Sequence, residues 1–339
     1  MSFVPLIEVT RGDLVECQHW GAVAVADREG CVQACAGDPH ALVFTRSTIK
    51  PFQALPLLQS GGARALGWGV PELALLCASH NGEPQHVDQV QAMLGSVGLD
   101  HQALRCGCHR PIFADLGLPG LGLPEGFVAD ARHNNCSGKH AGFLAYCMEQ
   151  GLSIDDYERP QHALQAAVRQ ALGRCVGLAP DALRMGVDGC AAPNYAMPLA
   201  HLARGYAWLA AGALDDAVQE PLARLAEAMV ARPELGSGTG RHDLEFMRVG
   251  QGDWVSKTGA DGVQVVGSRS RAQAFALKVM DGNMVAQVAT AVEVMDQLGW
   301  LDAAQREALL HRRASILLNA RGAPVGARRP VFRLQRPPA

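Results

Sequence analysis

The chain has 339 residues, of which 48% are apolar and 19% are charged, and its formal net charge at pH 7 is −3. A chain of this length can bury a large core. The small net charge gives no electrostatic reason to expect nucleic acid or a membrane as the main partner. Residues 1–8 lack a secretory signal and no segment is apolar for long enough to span a bilayer, so we expect a cytoplasmic protein.

Short strands are predicted at the start of the chain. Runs rich in β-branched and aromatic residues, separated by turn residues, occupy residues 6–10, 14–19, 22–26 and 31–36. Links this short require antiparallel pairing.

The middle of the chain is predicted to be helical and its end to return to strands. Apolar residues recur at helical spacing in residues 51–60, 71–78, 86–97, 138–150, 161–173, 199–211 and 215–230. Strands follow at 254–257, 263–267 and 274–279, then a helix at 283–298. The arginine-rich end of the chain, which includes residues 321–336, is expected to be a loose tail.

These elements predict an α+β fold in one catalytic unit that spans residues 1–339. An antiparallel sheet would be built from both ends of the chain, about residues 5–45 and 250–335, around a helical part at about 46–249.

Three short motifs predict an acyl-transfer site. Ser47 and Lys50 form an S-x-x-K pair, Ser79-His80-Asn81 follows, and Lys257-Thr258-Gly259 comes near the end. Serine needs a base beside it to act as a nucleophile, and a lysine of lowered pKa can serve. Each motif alone is more often structural, as a helix cap beside a solvated cation. The order of the three is that of class A β-lactamases and penicillin-binding proteins, which favours catalysis.

A second cluster of reactive side chains lies in residues 133–142. Cys136 stands where this segment opens a helix, a position that favours a thiolate, and Cys190 stands in another turn-like segment. Two thiolates with a further donor, His133 or His140, could hold zinc, and two ordinary buried cysteines are the simpler alternative. Residues 106–109, C-G-C-H, are expected to form a loop. The remaining cysteines are expected to be small core residues: Cys17, Cys31, Cys35, Cys77, Cys147 and Cys175.

Several segments together resemble the class 3, rhizobial-type L-asparaginases. The resemblance is carried by residues 46–53, 77–84, 133–142, 187–194, 238–241 and 281–284. It implies a fold related to serine β-lactamases and glutaminases, and a homodimer that hydrolyses L-asparagine to L-aspartate and ammonia.

The resemblance also implies roles for single residues. It pairs Ser47 with Lys50 and Ser79 with Lys257 as the catalytic groups. It implies one zinc ion (Zn²⁺) per subunit, held by Cys136, Lys139, Cys190 and a water, with Asp188 nearby and without activation of the nucleophile by the metal. One departure is Thr258, which stands where the family usually has glycine.

A zwitterionic substrate needs partners for both of its charges. Arg46 and Arg241 are candidates for the α-carboxylate, and Glu83 or Asp188 for the α-ammonium. Asn81 and His140 complete the predicted substrate-binding set. A β-lactamase-like or glutaminase-type amidohydrolase is the alternative enzyme, and a zinc-dependent or redox-sensing binding protein is the alternative of another class.

Overall fold

The structure, a computed structural model, describes residues 2–118, 120 and 122–336. Its strands are β1 (Val4–Arg11), β2 (Leu14–Asp27), β3 (Val32–Ala36), β4 (Leu42–Phe44), β5 (Arg184–Val187), β6 (Pro193–Pro198), β7 (Trp254–Gly259), β8 (Val263–Ser268), β9 (Gln273–Val279), β10 (Ser315–Leu318) and β11 (Pro324–Pro330). 

The helices lie mostly between β4 and β7. In chain order they are α1 (Lys50–Gln53), α2 (Leu55–Gln59), α3 (Gly62–Ala65), α4 (Val70–Leu76), α5 (Pro84–Gly95), α6 (Ser137–Gln150), α7 (Ala163–Val176), α8 (Leu199–Ala211), α9 (Asp216–Ala231), α10 (Pro233–Gly236), α11 (His242–Val249), α12 (Met284–Gln297) and α13 (Ala303–Arg313). None of the described helices is both long enough and apolar enough to cross a membrane.

The main sheet is antiparallel and joins the two ends of the chain, which confirms the predicted α+β fold. Its strand order is β10-β11-β1-β2-β9-β8-β7, and β3 pairs with β2 beside this path. The strands predicted at 14–19 and 22–26 are one continuous strand, β2.

The sheet is covered on both faces because its side chains alternate between two cores. Ala22, Ala24 and Ala26 belong to the core that includes α8 and the central helices. Val23 and Val25 point the other way, into the core formed with α12. Burying a valine side chain contributes about 1.5–3 kcal/mol, so both faces stabilise the central strand. β7 lies at one edge of this sheet, in contact with the helical part of the chain.

Three predictions about local structure are wrong. Two strands in the part predicted to be helical, β5 and β6, form a second sheet with β4, in the order β4-β6-β5. The predicted loose tail contains a strand, β11, which pairs with β1 and with β10. Among the cysteines predicted to be core residues, Cys17 and Cys31 are exposed and Cys35 is half-buried. Strands of three to seven residues give little periodic signal, and Cys17 lies in the exposed first half of β2.

Candidate active site

Two lysines from distant parts of the chain converge on Ser79. Ser79 lies in the loop after α4, Lys50 begins α1, and Lys257 lies on β7. The Nζ atom of Lys50 is 3.0 Å from Ser79 Oγ, and that of Lys257 is 2.8 Å from it. All three side chains are buried. A hydroxyl held between two amines away from water is suited to proton transfer.

The two lysines are not equivalent. Lys50 donates to the carbonyl oxygens of Ala78 and Asn135 as well as to Ser79, which uses the three N–H groups of an ammonium. Burial lowers the pKa of Lys257 to about 7, and although the Asp243 carboxylate opposes this decrease, the Lys50 charge adds to it. Lys257 therefore has a substantial neutral fraction at neutral pH and can take a proton from Ser79.

The structure does not bring Ser47 and Lys50 together as a hydrogen-bonded pair. Lys50 reaches Ser79 instead, since the carbonyl groups that hold its amine belong to the segments around Ser79 and Asn135. Among the described residues, the Ser47 hydroxyl makes no hydrogen bond, and Ser47 is 9% exposed against 3% for Ser79. The Ser47 hydroxyl is therefore free of hydrogen bonds in the described part of the chain, in the turn that leads into Lys50.

The backbone before Ser47 is held in an unusual conformation. Arg46 has a φ of 50°, in the left-handed region that side-chain-bearing residues rarely adopt. Asn194 fixes it from both sides: its Oδ1 accepts from the Arg46 N–H (3.0 Å), and its Nδ2 donates to the Arg46 carbonyl (2.9 Å). Strain of this kind costs about 1–3 kcal/mol and clusters at functional sites. Sequence reasoning gave Asn194 no role, although it stands in one of the quoted segments.

Two glycines let the segments approach. A Cβ on Gly259 would lie 2.9 Å from the Thr45 carbonyl oxygen, so only glycine lets β7 pack against the turn Arg46–Ile49. A Cβ on Gly138 would lie 2.4 Å from the Leu75 carbonyl oxygen, so only glycine lets α6 lie against α4. Close packing around Ser79 therefore explains the glycine of the Lys257-Thr258-Gly259 motif and the glycine within residues 133–142.

Cys136, Lys139 and Cys190 form a second buried cluster. Lys139 Nζ lies 3.0 Å from Cys190 Sγ. A hydrogen bond from the Cys136 thiol and the nearby Lys139 amine lower the pKa of Cys190 far below its ordinary value, and the same hydrogen bond raises the pKa of Cys136. Burial alone would lower the pKa of Lys139, but the charges of Cys190 and Cys136 and the hydrogen bond to Cys190 together outweigh burial, and the pKa is raised. Lys139 and Cys190 are therefore an ammonium–thiolate pair.

Of the two histidines considered as metal ligands, only His140 faces this cluster. Its Nδ1 pairs with the Tyr157 hydroxyl (2.8 Å), while its Nε2 is buried without a hydrogen-bond partner in the described part of the chain. His133 is held by Asp130 instead, 3.2 Å away. Within the described ranges, no three His, Cys, Asp or Glu side chains are arranged to hold a metal. A zinc site here would require the Lys139 amine as a ligand.

The two arginines predicted to bind carboxylate differ in their partners. Arg46 is ion-paired with Asp188 (3.0 Å) and with Asp261. These residues line a cleft of about 550 Å³ whose wall includes neither Ser79 nor Lys257. Arg241 makes no side-chain hydrogen bond within residues 2–118, 120 and 122–336, and its Nε is buried. Arg241 is thus the cation with free donors, while the donors of Arg46 are partly used.

Glu83 and Asn81 hold the loop that carries Arg241. Glu83 accepts from the Thr239 N–H (2.7 Å) and from Asn81 Nδ2 (3.1 Å). Burial raises its pKa, but the hydrogen bonds from Thr239, Asn81 and Gln85 outweigh burial and leave the pKa lowered. The carboxylate is occupied by these bonds, whereas Asn81 Oδ1 is buried without a partner among the described residues. The free acceptor is therefore Asn81.

Comparison with known protein families also indicates an asparaginase. The chain matches the family model of L-asparaginase II over residues 7–330. A search of the curated proteins finds no significant match.

Two solved structures are similar to the chain at low identity. One is Mglu in its native form, at 15% identity over 84% of this chain and 65% of Mglu, with a TM-score of 0.45. The other is a β-lactamase from Mycobacterium bovis, at 16% identity over 82% of this chain and 94% of that protein, with a TM-score of 0.40. The chain spans less than two thirds of the length of Mglu. On the family match over nearly its whole length, this chain belongs to the L-asparaginase II family of amidohydrolases.

Proposed function

We propose that the chain hydrolyses L-asparagine to L-aspartate and ammonia through a serine acyl-enzyme. The observation that carries this proposal is the placement of Ser79 Oγ within 3.0 Å of two buried lysine amines in a member of an asparaginase family. An amide carbon is a poor electrophile, so its hydrolysis needs an activated nucleophile and a proton for the departing amine.

The two lysines divide these tasks. Neutral Lys257 accepts the serine proton as the serine oxygen bonds to the side-chain carbonyl carbon of asparagine. The protonated amine then returns a proton to the nitrogen that leaves as ammonia. Water attacks the aspartyl ester with Lys257 again as base, which releases aspartate and restores the serine. Lys50 adds to the lowering of the pKa of Lys257 by burial, and its hydrogen bond to Ser79 orients the hydroxyl.

Two serines are able to carry the acyl group. Ser79 has direct contact with the base. Ser47 has a hydroxyl free of internal hydrogen bonds, and in the S-x-x-K pattern the first serine is the nucleophile. In that arrangement Ser79 would relay protons between Lys50 and Lys257.

Arg241 and Asn81 suit the charged ends of the substrate. The free donors of Arg241 can take the α-carboxylate, and the free Oδ1 of Asn81 can accept from the α-ammonium. Arg46 and Asp188 satisfy one another and line the neighbouring cleft, which supports a role for them at the entrance.

The cysteine cluster supports one zinc ion per subunit. Cys136 and Cys190 would bind through sulfur and Lys139 through its amine, and the unpartnered Nε2 of His140 is a further donor at the site. Binding would release protons from Cys136 and Lys139. Bound zinc would supply a fixed positive charge beside the pocket. A homodimer stays a prediction from the resemblance, and a cytoplasmic location stays a prediction from the sequence.

The test combines substrate range with trapping of the intermediate. Ammonia release is measured with L-asparagine and L-glutamine, and ring opening is measured by the colour change of a chromogenic β-lactam. We expect asparagine to be hydrolysed at least about tenfold faster than glutamine, a difference of about 1.4 kcal/mol. Enzyme quenched during turnover is digested and analysed by mass spectrometry for an aspartyl adduct. An adduct on Ser79 or on Ser47 assigns the nucleophile. No ammonia from asparagine would overturn the function, and turnover retained in both Ser47→Ala and Ser79→Ala would overturn the mechanism.

A further inference from the structure

Asp243 is a fully buried carboxylate that holds both neighbours of Lys257. It lies in the first turn of α11, which packs on β7. Its Oδ1 accepts from the Ser256 hydroxyl (2.7 Å), and its Oδ2 accepts from the Thr258 N–H (2.7 Å). Gln264 Nε2 donates to Oδ1 as well (2.9 Å). The residues on either side of Lys257 are therefore fixed by one side chain.

The hydrogen bonds of Asp243 with Ser256 and Thr258, called here the Asp243 clamp, take the place of a neighbouring strand at the edge of the sheet. β7 ends the strand order of the sheet and pairs with β8. At such an edge the outward N–H groups lack acceptors from a neighbouring strand. The Thr258 N–H finds its acceptor in Asp243, so α11 fixes the edge strand at the point where Lys257 reaches Ser79. Catalytic groups lose rate steeply when they are displaced by as little as about 1 Å.

Asp243 also contributes charge. Burial raises the pKa of Asp243, but the charges of His242 and Lys257 together with the hydrogen bonds from Gln264 and Ser256 outweigh burial and lower it. The carboxylate in turn opposes the effect of burial on the pKa of Lys257. The other titratable groups whose charges act on Lys257 or are acted on by it are Lys50, Arg241, Cys136 and Cys77.

We propose that Asp243 is a positioning residue for Lys257: it holds the edge strand in register with Ser79 and supplies the negative charge that stabilises the protonated amine. The kinetic consequence rests on the proposed function, in which Lys257 is the base. The placement and the charge effect do not.

The charge effect is measured without any substrate. The chain has only four lysines, Lys50, Lys139, Lys257 and Lys278, so protein labelled with ¹³C at lysine Cε gives few signals. The signal missing from Lys257→Met assigns Lys257. In Asp243→Asn we expect the titration midpoint of Lys257 to move about one pH unit lower, because an opposite charge is lost. For asparagine hydrolysis we expect kcat to fall at least about tenfold, and the acid limb of its pH profile to move in the same direction.

Asp253 is the matched control. It accepts from the Ser268 hydroxyl (2.7 Å) and the Ser270 N–H (2.6 Å) near the other end of β7, in the same manner as Asp243. Asp253→Asn should leave the Lys257 midpoint and the pH profile unchanged. A Lys257 midpoint in Asp243→Asn equal to that of the wild type would overturn the proposal, even if asparagine is hydrolysed. Absence of asparagine hydrolysis in the wild type would overturn only the proposed function.

Ser256→Ala covers the case in which Asp243→Asn does not fold. It removes one contact of the clamp and keeps the carboxylate. We expect the Lys257 midpoint to stay unchanged and kcat to fall several-fold at constant KM, about 1 kcal/mol for a lost hydrogen bond. If Ser256→Ala has the kcat of the wild type but a lower melting temperature, the contact only stabilises the fold. That result would overturn the positioning role.

Discussion

Lys257 and Lys139 are both fully buried, yet their pKa values move in opposite directions. Lys257 contacts a neutral hydroxyl, that of Ser79, and burial lowers its pKa to about 7. Lys139 contacts Cys190, and the charges of Cys190 and Cys136 together with this hydrogen bond outweigh burial and raise the pKa. The same residue type at the same depth is a base in one place and a cation in the other.

The difference shows that the neighbour, more than the depth, sets the role of a buried lysine. A hydroxyl cannot compensate the charge of an ammonium, so the neutral amine is favoured. A thiolate compensates that charge, so the proton is retained. The two clusters are joined through Asn135, whose carbonyl accepts from Lys50 and which precedes Cys136.

The largest expected effect comes from making both lysines permanently charged. Arginine does not lose its proton in proteins, so Lys257→Arg removes the base and should lower kcat about 10³-fold or more. Lys139→Arg keeps the ion pair with Cys190 and should lower kcat far less. Stopped-time ammonia assays at saturating asparagine measure both. Equal losses in the two variants would contradict the division of roles.

The sequence predicted which residues form the two clusters better than it predicted their pairing. Motif order identified Lys50, Ser79 and Lys257. The local sequence identified Cys136 and Cys190, and the resemblance added Lys139. The partner of Lys50 could not be deduced, because it depends on how close α1, the loop after α4 and the start of α6 come in space. Spacing of three along the chain indicates a shared face and not a hydrogen bond.

Asp243 carries no motif, and its importance depends on the contact of α11 with β7. A compositional signal was available for the lysines. Only four occur in 339 residues, and three of them lie in the two clusters. The architecture of the main sheet followed from the strand patterns at both ends, whereas the small sheet of β4, β5 and β6 did not, since strands of three to six residues resemble loops.

A smaller effect is expected from the metal. Cys136→Ser removes one of the proposed sulfur ligands and should lower zinc affinity and raise KM for asparagine about tenfold, with a smaller change in kcat. Elemental analysis and steady-state kinetics of protein purified without chelator measure both. Cys147→Ser, at a buried cysteine of the same helix, should retain zinc and KM. Substoichiometric zinc that reconstitution cannot raise would contradict the proposed zinc site. Loss of turnover at saturating asparagine in metal-free enzyme would instead indicate a catalytic role for the metal.

The smallest effect is on stability, and it has opposite signs at the two lysines. An unfolded lysine has a pKa near 10.5, so between about pH 7 and 10.5 the unfolded chain binds a proton at residue 257 that the folded chain lacks. Lys257 therefore destabilises the fold at pH 7 and below, and its contribution improves as the pH rises to 10.5. Lys257→Met should raise the free energy of unfolding near pH 7, by about 1–3 kcal/mol after the loss of its hydrogen bonds.

The advantage of Lys257→Met should shrink to nothing toward pH 10.5. The raised pKa of Lys139 has the opposite consequence: its ion pair stabilises the fold below pH 10.5, so Lys139→Met should lower the unfolding free energy across the same range. Urea titrations of metal-free protein at several pH values measure the differences from wild type, so contributions shared by all three proteins largely cancel. If both variants were destabilised equally at pH 7, the neutral state of Lys257 would be wrong. A higher free energy of unfolding in Lys257→Met, together with a lower one in Lys139→Met, would show that Lys257 destabilises the fold and that Lys139 stabilises it.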